Sequence, residues 1–119
     1  MMPAWLAVLV GGGVGSVLRY SIGLLLRRED GLFPWGTFTA NVVGCFLIGL
    51  FYAWSSRLQL TAEVRLMLTT GLCGGFTTFS TFSYESLQLL QQGHYILFLL
   101  YAMASLLVGL LAVWLGTHG

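Results

Sequence analysis

Gly71-Leu72-Cys73-Gly74-Gly75-Phe76-Thr77-Thr78-Phe79-Ser80-Thr81-Phe82-Ser83-Tyr84-Glu85 lies in the middle of an apolar segment long enough to cross a bilayer, and its reading decides the fold. Glycines and the hydroxyls of Thr77, Thr78, Ser80, Thr81 and Ser83 crowd into it, which is not how a lipid-facing helix is written. In hydrocarbon every backbone N–H and C=O must be satisfied. Interrupted backbone survives at membrane depth only where it is buried in protein or lines a wet cavity. The stretch reads as the wall of a site or pore, in a helix interrupted at Gly74-Gly75.

Composition supports a membrane setting. Of 119 residues, 57% are hydrophobic and 8% are charged, and the mean hydropathy is +0.86. Soluble domains carry about 25% charged residues. A helical span needs about 20 apolar residues, so the length accommodates four spans with short loops and no soluble domain. The expected class is an all-α integral membrane protein with spans at about 3–26, 34–54, 63–92 and 95–115, forming a single channel-like domain over 1–119. A net charge of +1 with no lysine provides no basic patch for nucleic acid. The start of the chain lacks the cationic region and small-residue cleavage site of a signal peptide, so the first span is expected to remain.

Outward from the central stretch, Gly11 and Gly15 in the first span stand at the small-xxx-small spacing that lets helices approach closely. Their glycine run does not follow a strand, so a nucleotide-binding reading is dropped. Arg19 lies in the same span, where a guanidinium is costly. It either snorkels to the headgroups or stands at a pore mouth and concentrates anions. In the second span, begun by Pro34, Gly36, Ala40 and Gly44 form one small face, while Thr37 and Asn41 place a hydroxyl and an amide beside it. Asn41 needs partners, either another helix or a ligand, and the span alone favours the first. Cys45 and Cys73 have no disulfide or metal-ligand spacing and read as small apolar residues. His94 and His118 fall at segment ends, and nothing is assigned to them.

Four spans place both termini on one face. The loop arginines divide as Arg27 and Arg28 on one side against Arg57 and Arg65 on the other, two against two. Orientation normally follows an excess of Lys and Arg in cytoplasmic loops. The balance predicts insertion in both directions, and transport folds are often built from oppositely oriented repeats around a shared midplane site. An antiparallel homodimer supplies that symmetry.

Phe79 and Phe82, three residues apart, share a helix face. A ring edge is positive and attracts a small anion without formal charge, although most such pairs only pack. With Asn41 and the hydroxyls of Ser80, Thr81 and Ser83 they make a weakly attractive lane, as conduction requires. Carbonyls freed at the break around Gly74 to Thr77 are suited to a monovalent cation.

These residues carry a resemblance. Gly11-Gly12 with Gly15 and Arg19-Tyr20, Gly36-Thr37 with Asn41, Gly44 and Gly49, and Gly71 with Gly74-Gly75 and Thr77-Thr78-Phe79-Ser80-Thr81-Phe82 are similar to the Fluc/CrcB family of fluoride channels. The resemblance covers essentially the whole chain, and the third block is its most specific part. It implies a dual-topology homodimer of four-helix subunits in the bacterial inner membrane, surrounded by lipid, with two antiparallel fluoride pores and a central structural Na⁺. By this resemblance Phe79, Phe82 and Asn41 match pore residues, the Gly74 and Thr77 carbonyls match sodium ligands, and Arg19 matches a vestibule arginine. Tyr101 and Ser105 look like pore-side polar residues, and the role of Glu85 stays open. Ser16 departs from the usual alanine, small for small. The implied function is passive fluoride efflux that protects the cell, with no enzymatic chemistry. The alternative is a small multidrug-resistance-type exporter, which requires an acidic residue in the first span, and 3–26 has none.

Overall fold

The computed structural model describes residues 2–27 and 31–119. The element order is α1 (Ala4–Leu25), α2 (Trp35–Arg57), α3 (Ala62–Leu66), a π-helical stretch (Met67–Cys73), α4 (Gly74–Phe76), α5 (Phe79–Gln91) and α6 (Tyr95–Thr117). There is no strand among the described residues. Helices α1, α2 and α6 are long and apolar enough to cross a membrane. At 1.5 Å per residue, the 22 residues of α1 extend about 33 Å, matching the hydrocarbon thickness. The chain is a multi-pass membrane protein. Of the polar loop at 27–31, Arg28, Glu29 and Asp30 lie outside the described residues.

The third segment departs from expectation in where it breaks. Gly74 and Gly75 are helical, and the interruption falls at Thr77 (φ −94°, ψ 159°) and Thr78 (φ −151°, ψ 124°), both extended. The ends of this segment are chemically specified. Thr61 opens α3 by accepting from the Val64 N–H at 3.3 Å. Gly93, at φ 82°, closes α5: its N–H donates to the Leu90 carbonyl at 3.1 Å and the His94 N–H reaches Leu89 at 2.8 Å. That paired closure needs a left-handed residue, and glycine takes it without strain.

Two backbone-to-backbone contacts assemble the helices. Helix α1 lies on the π stretch and α4, and α2 lies on α6. At Gly11 a methyl would land on the Met67 carbonyl, and at Gly15 on the Leu72 carbonyl. Gly49 and Gly116 meet the Val113 and Phe46 carbonyls in the same manner. Without a hydrophobic drive between helices in lipid, this approach of small residues is what holds them. Most large apolar side chains on the outside, such as Leu25, Ile96, Leu106 and Leu110, are exposed, as a bilayer solvent permits.

Gly15→Ala is expected to lower stability in detergent by about 1–3 kcal/mol, the usual range for overpacking. The added carbon would sit on the Leu72 carbonyl and 2.8 Å from the Phe76 nitrogen, both backbone. Gly13→Ala meets nothing within 4 Å and should be neutral or slightly stabilising, because alanine is the better helix former. Thermal unfolding of the two variants checks this, and equal melting temperatures would contradict the packing argument.

Candidate functional site

Breaking a helix at Thr77 and Thr78 frees backbone donors and acceptors, and side chains take up several of them. Asn41 of α2 does so from both ends of its amide. Its Nδ2 donates to the Thr78 carbonyl at 3.1 Å, and its Oδ1 accepts from the Thr78 N–H at 2.8 Å. Of the two readings of Asn41, helix-to-helix bonding is present. An amide has two N–H donors, so one is left over on a residue that lines the adjoining cleft.

Thr78, one of the hydroxyls of the central stretch with no site role read from the sequence, organises the break. Its hydroxyl caps α5, accepting from the Thr81 N–H at 3.2 Å, and donates to Thr81 Oγ1 at 3.2 Å. Ser80 Oγ lies 3.3 Å from the same hydroxyl. Ser80 and Thr81 thus belong to the capping cluster at the break. The signal was available: a threonine three residues before Thr81, at the head of a helical run, is a cap position. Thr77 Oγ1 turns back to the Cys73 carbonyl at 2.9 Å, and Gly44 leaves room for the Thr77 methyl.

Arg19 neither reaches the cleft nor points away from protein. Its Nε donates to the Gly75 carbonyl at 3.0 Å, so this cation ties α1 to the turn before the break. Among the described residues no hydrogen bond reaches the carbonyls of Gly74 or Thr77. Both residues line the cleft.

The cleft, about 790 Å³, is open on one side and mostly apolar. Its wall brings together Asn41, Gly74, Thr77, Thr78, Phe79, Phe82 and Ser105. Phe79 and Phe82 stand 5.9 Å apart between ring centres, and Phe79 is 79% exposed. Ser105 Oγ is buried without a hydrogen-bond partner. The free thiols of Cys45 and Cys73 line the same wall.

Tyr101 closes one end. It is fully buried, its ring lies 4.9 Å from that of Phe82, and its hydroxyl donates to Glu85 Oε1 at 3.0 Å. Glu85 and Thr37 line a second, more polar cavity beyond it. Apart from Arg19, the expected site residues divide into three groups: a cleft, a capping cluster and a buried tyrosine with the carboxylate and Thr37 near it. The Glu85 partner came from a helix 16 residues away in sequence, where periodicity gives no warning.

A family model described as CrcB-like protein, Camphor Resistance (CrcB), matches residues 6–117. Three similar proteins are each named fluoride-specific ion channel FluC. One from Phocaeicola vulgatus is 53% identical over 116 residues, covering 97% of this chain and 96% of its own. One from Bacteroides fragilis is 51% identical, covering 93% and 91%. One from Thermus thermophilus is 48% identical, covering 97% and 93%. With the match running nearly end to end and including every residue named on the cleft wall, the chain belongs to the CrcB family.

Proposed function

We propose that the chain is a fluoride channel that mediates passive efflux across the bacterial inner membrane and performs no enzymatic reaction. The observation that carries this reading is the cleft wall, where uncharged donors and two phenylalanines come together and no charged residue is present. The spare Asn41 N–H, the unpartnered Ser105 hydroxyl and the Phe79 and Phe82 rings each attract an anion weakly. Helix α5 also begins at Phe79, and the positive end of its dipole favours negative charge there. A lane must bind well enough to admit an ion and poorly enough to release it. The small multidrug-resistance-type reading lacks its acidic residue, since α1 holds none.

A cleft of about 790 Å³ open on one side is much too large to guide one small ion. A second wall is required, and an antiparallel copy of the same chain provides it. Gly74 supports this: a methyl there meets no atom of this chain within 4 Å, so the bare backbone faces whatever lies across the cleft. The third, broken helix then forms the lining of each lane, and two lanes run in opposite directions.

The same backbone fits a sodium ion. Gly74 and Thr77 line the cleft, their carbonyls accept no hydrogen bond among the described residues, and carbonyls at the C-terminal ends and breaks of discontinuous membrane helices are known cation ligands. Na⁺ held by these four oxygens, two from each protomer, would supply positive charge that holds the two breaks together.

Purified protein in liposomes loaded with potassium fluoride tests the function. Fluoride release followed by an ion-selective electrode is expected, with potassium chloride retained under the same conditions. Fluoride-tight vesicles would overturn the reading. Prolonged replacement of Na⁺ by a bulky organic cation is expected to weaken flux and dimer assembly together, and unchanged release after that exchange would remove the sodium ion from the picture.

A further inference from the structure

Along α5 the cleft gives way to the second cavity, about 370 Å³, whose lining includes Thr37, Glu85, Gln88 and Gln92. Tyr101 touches a lining residue of each: its ring lies 4.9 Å from that of Phe82, tilted by 51°, and its hydroxyl donates to Glu85. Glu85, Gln88 and Gln92 fall on one face of the helix, at three- and four-residue steps, and at 1.5 Å per residue they cover about 10 Å. Resting on the fluoride-channel reading, we propose that Gln88 and Gln92 continue the lane from Glu85 to water as amide rungs on which fluoride exchanges its hydration shell, with Gln88 setting the throughput.

The chemistry of the cavity favours amides at these positions. A fluoride ion leaving the aromatic lane needs hydrogen-bond donors before bulk water reaches it. Glu85 supplies an acceptor, since its oxygen accepts a hydrogen bond from the Tyr101 hydroxyl, so it does not substitute for water around an anion. The next group on that face is Gln88. A neutral amide offers two N–H donors and no net charge; it replaces water without trapping the ion. Gln92, one turn further, repeats the group in a lining that also includes Arg27. Gln91, exposed like Gln88 and Gln92, is outside the cavity lining, so the same side chain occurs next to Gln92 with no part in the ladder.

Flux in potassium fluoride liposomes separates these roles, with assembly followed by size-exclusion chromatography. Gln88→Leu is expected to slow fluoride release about fivefold, the factor one net hydrogen bond is worth, and Gln92→Leu should slow it less. Gln91→Leu should match the unsubstituted protein. Gln88→Glu should be slower than Gln88→Leu, with a deficit that shrinks when ionic strength is raised with gluconate. The screening length falls from about 10 Å at 0.1 M to 3 Å at 1 M, and a merely structural defect would not respond to it. Equal rates for Gln88→Leu and Gln91→Leu, or a salt-independent Gln88→Glu deficit, would overturn the ladder. Fluoride-tight vesicles of the unsubstituted protein would instead bring down the channel reading beneath it.

Discussion

Phe82→Ile is expected to reduce fluoride flux by at least about tenfold while the protein remains folded and assembled. Isoleucine keeps the position apolar and fills much of the same volume, so a change of this kind normally costs little stability. It removes the ring, and with the ring goes the positive edge that attracts an anion without charge. A tenfold effect corresponds to about 1.4 kcal/mol, the upper part of the range for a single aromatic interaction. It is reasonable here because Phe82 is held from two sides, by Phe79 at 5.9 Å and Tyr101 at 4.9 Å between ring centres. Phe79→Ile should act in the same direction. Phe79 is mostly exposed in the single chain, so its packing in one protomer cannot explain a loss of flux. Liposome release measured beside size-exclusion profiles decides between the two roles: unsubstituted rates from assembled Phe82→Ile protein would mean that the rings only pack.

The parts of the fold governed by one dominant force were legible in the sequence. Helices α1, α2 and α6 follow from apolar runs of bilayer length. The pairing of Thr37 with Asn41 on one helix face follows from periodicity, as does the close approach at Gly11 and Gly15. Where several forces compete, the reading failed in a specific way. Glycine's conformational freedom points to Gly74 and Gly75 as the helix breakers, yet both are helical. Gly75 is small because a methyl there would strike the Gly12 carbonyl of α1, a reason of packing and not of conformation. The break belongs to Thr77 and Thr78, two β-branched residues suited to extended backbone, whose hydroxyls bond the Cys73 carbonyl before it and the Thr81 N–H after it.

The site was legible as a set of residue types and much less as a set of partners. That Asn41 required a hydrogen-bond partner was evident from its depth in an apolar span; that it would clasp both backbone groups of Thr78 was not. The π-helical stretch at Met67–Cys73 left no mark in the residue pattern. Arg19 illustrates the same limit. Snorkelling and pore-mouth roles were both open, and the structure instead spends its Nε on the Gly75 carbonyl, an acceptor three-dimensional packing alone brings within reach.

Asn41→Leu is expected to have the larger structural effect of all, lowering stability by about 2–6 kcal/mol and abolishing flux. The substitution leaves both the Thr78 N–H and the Thr78 carbonyl without their partner, and each unsatisfied buried group costs about 1–3 kcal/mol, more where hydrocarbon excludes water. Against a total stability of about 5–15 kcal/mol, that loss is large enough to melt the break. Loss of flux in this variant alone would not show whether Asn41 also meets the ion. Asn41→Asp makes the distinction, because a carboxylate keeps the acceptor for the Thr78 N–H while it removes both N–H donors and places a negative charge on the cleft wall. Its melting temperature in detergent should lie above that of Asn41→Leu, and its vesicles should still be fluoride-tight. Asn41→Asp protein that conducts at the unsubstituted rate would show that the amide serves the backbone alone. Asn41→Leu protein as stable as the original would show that the break holds without it.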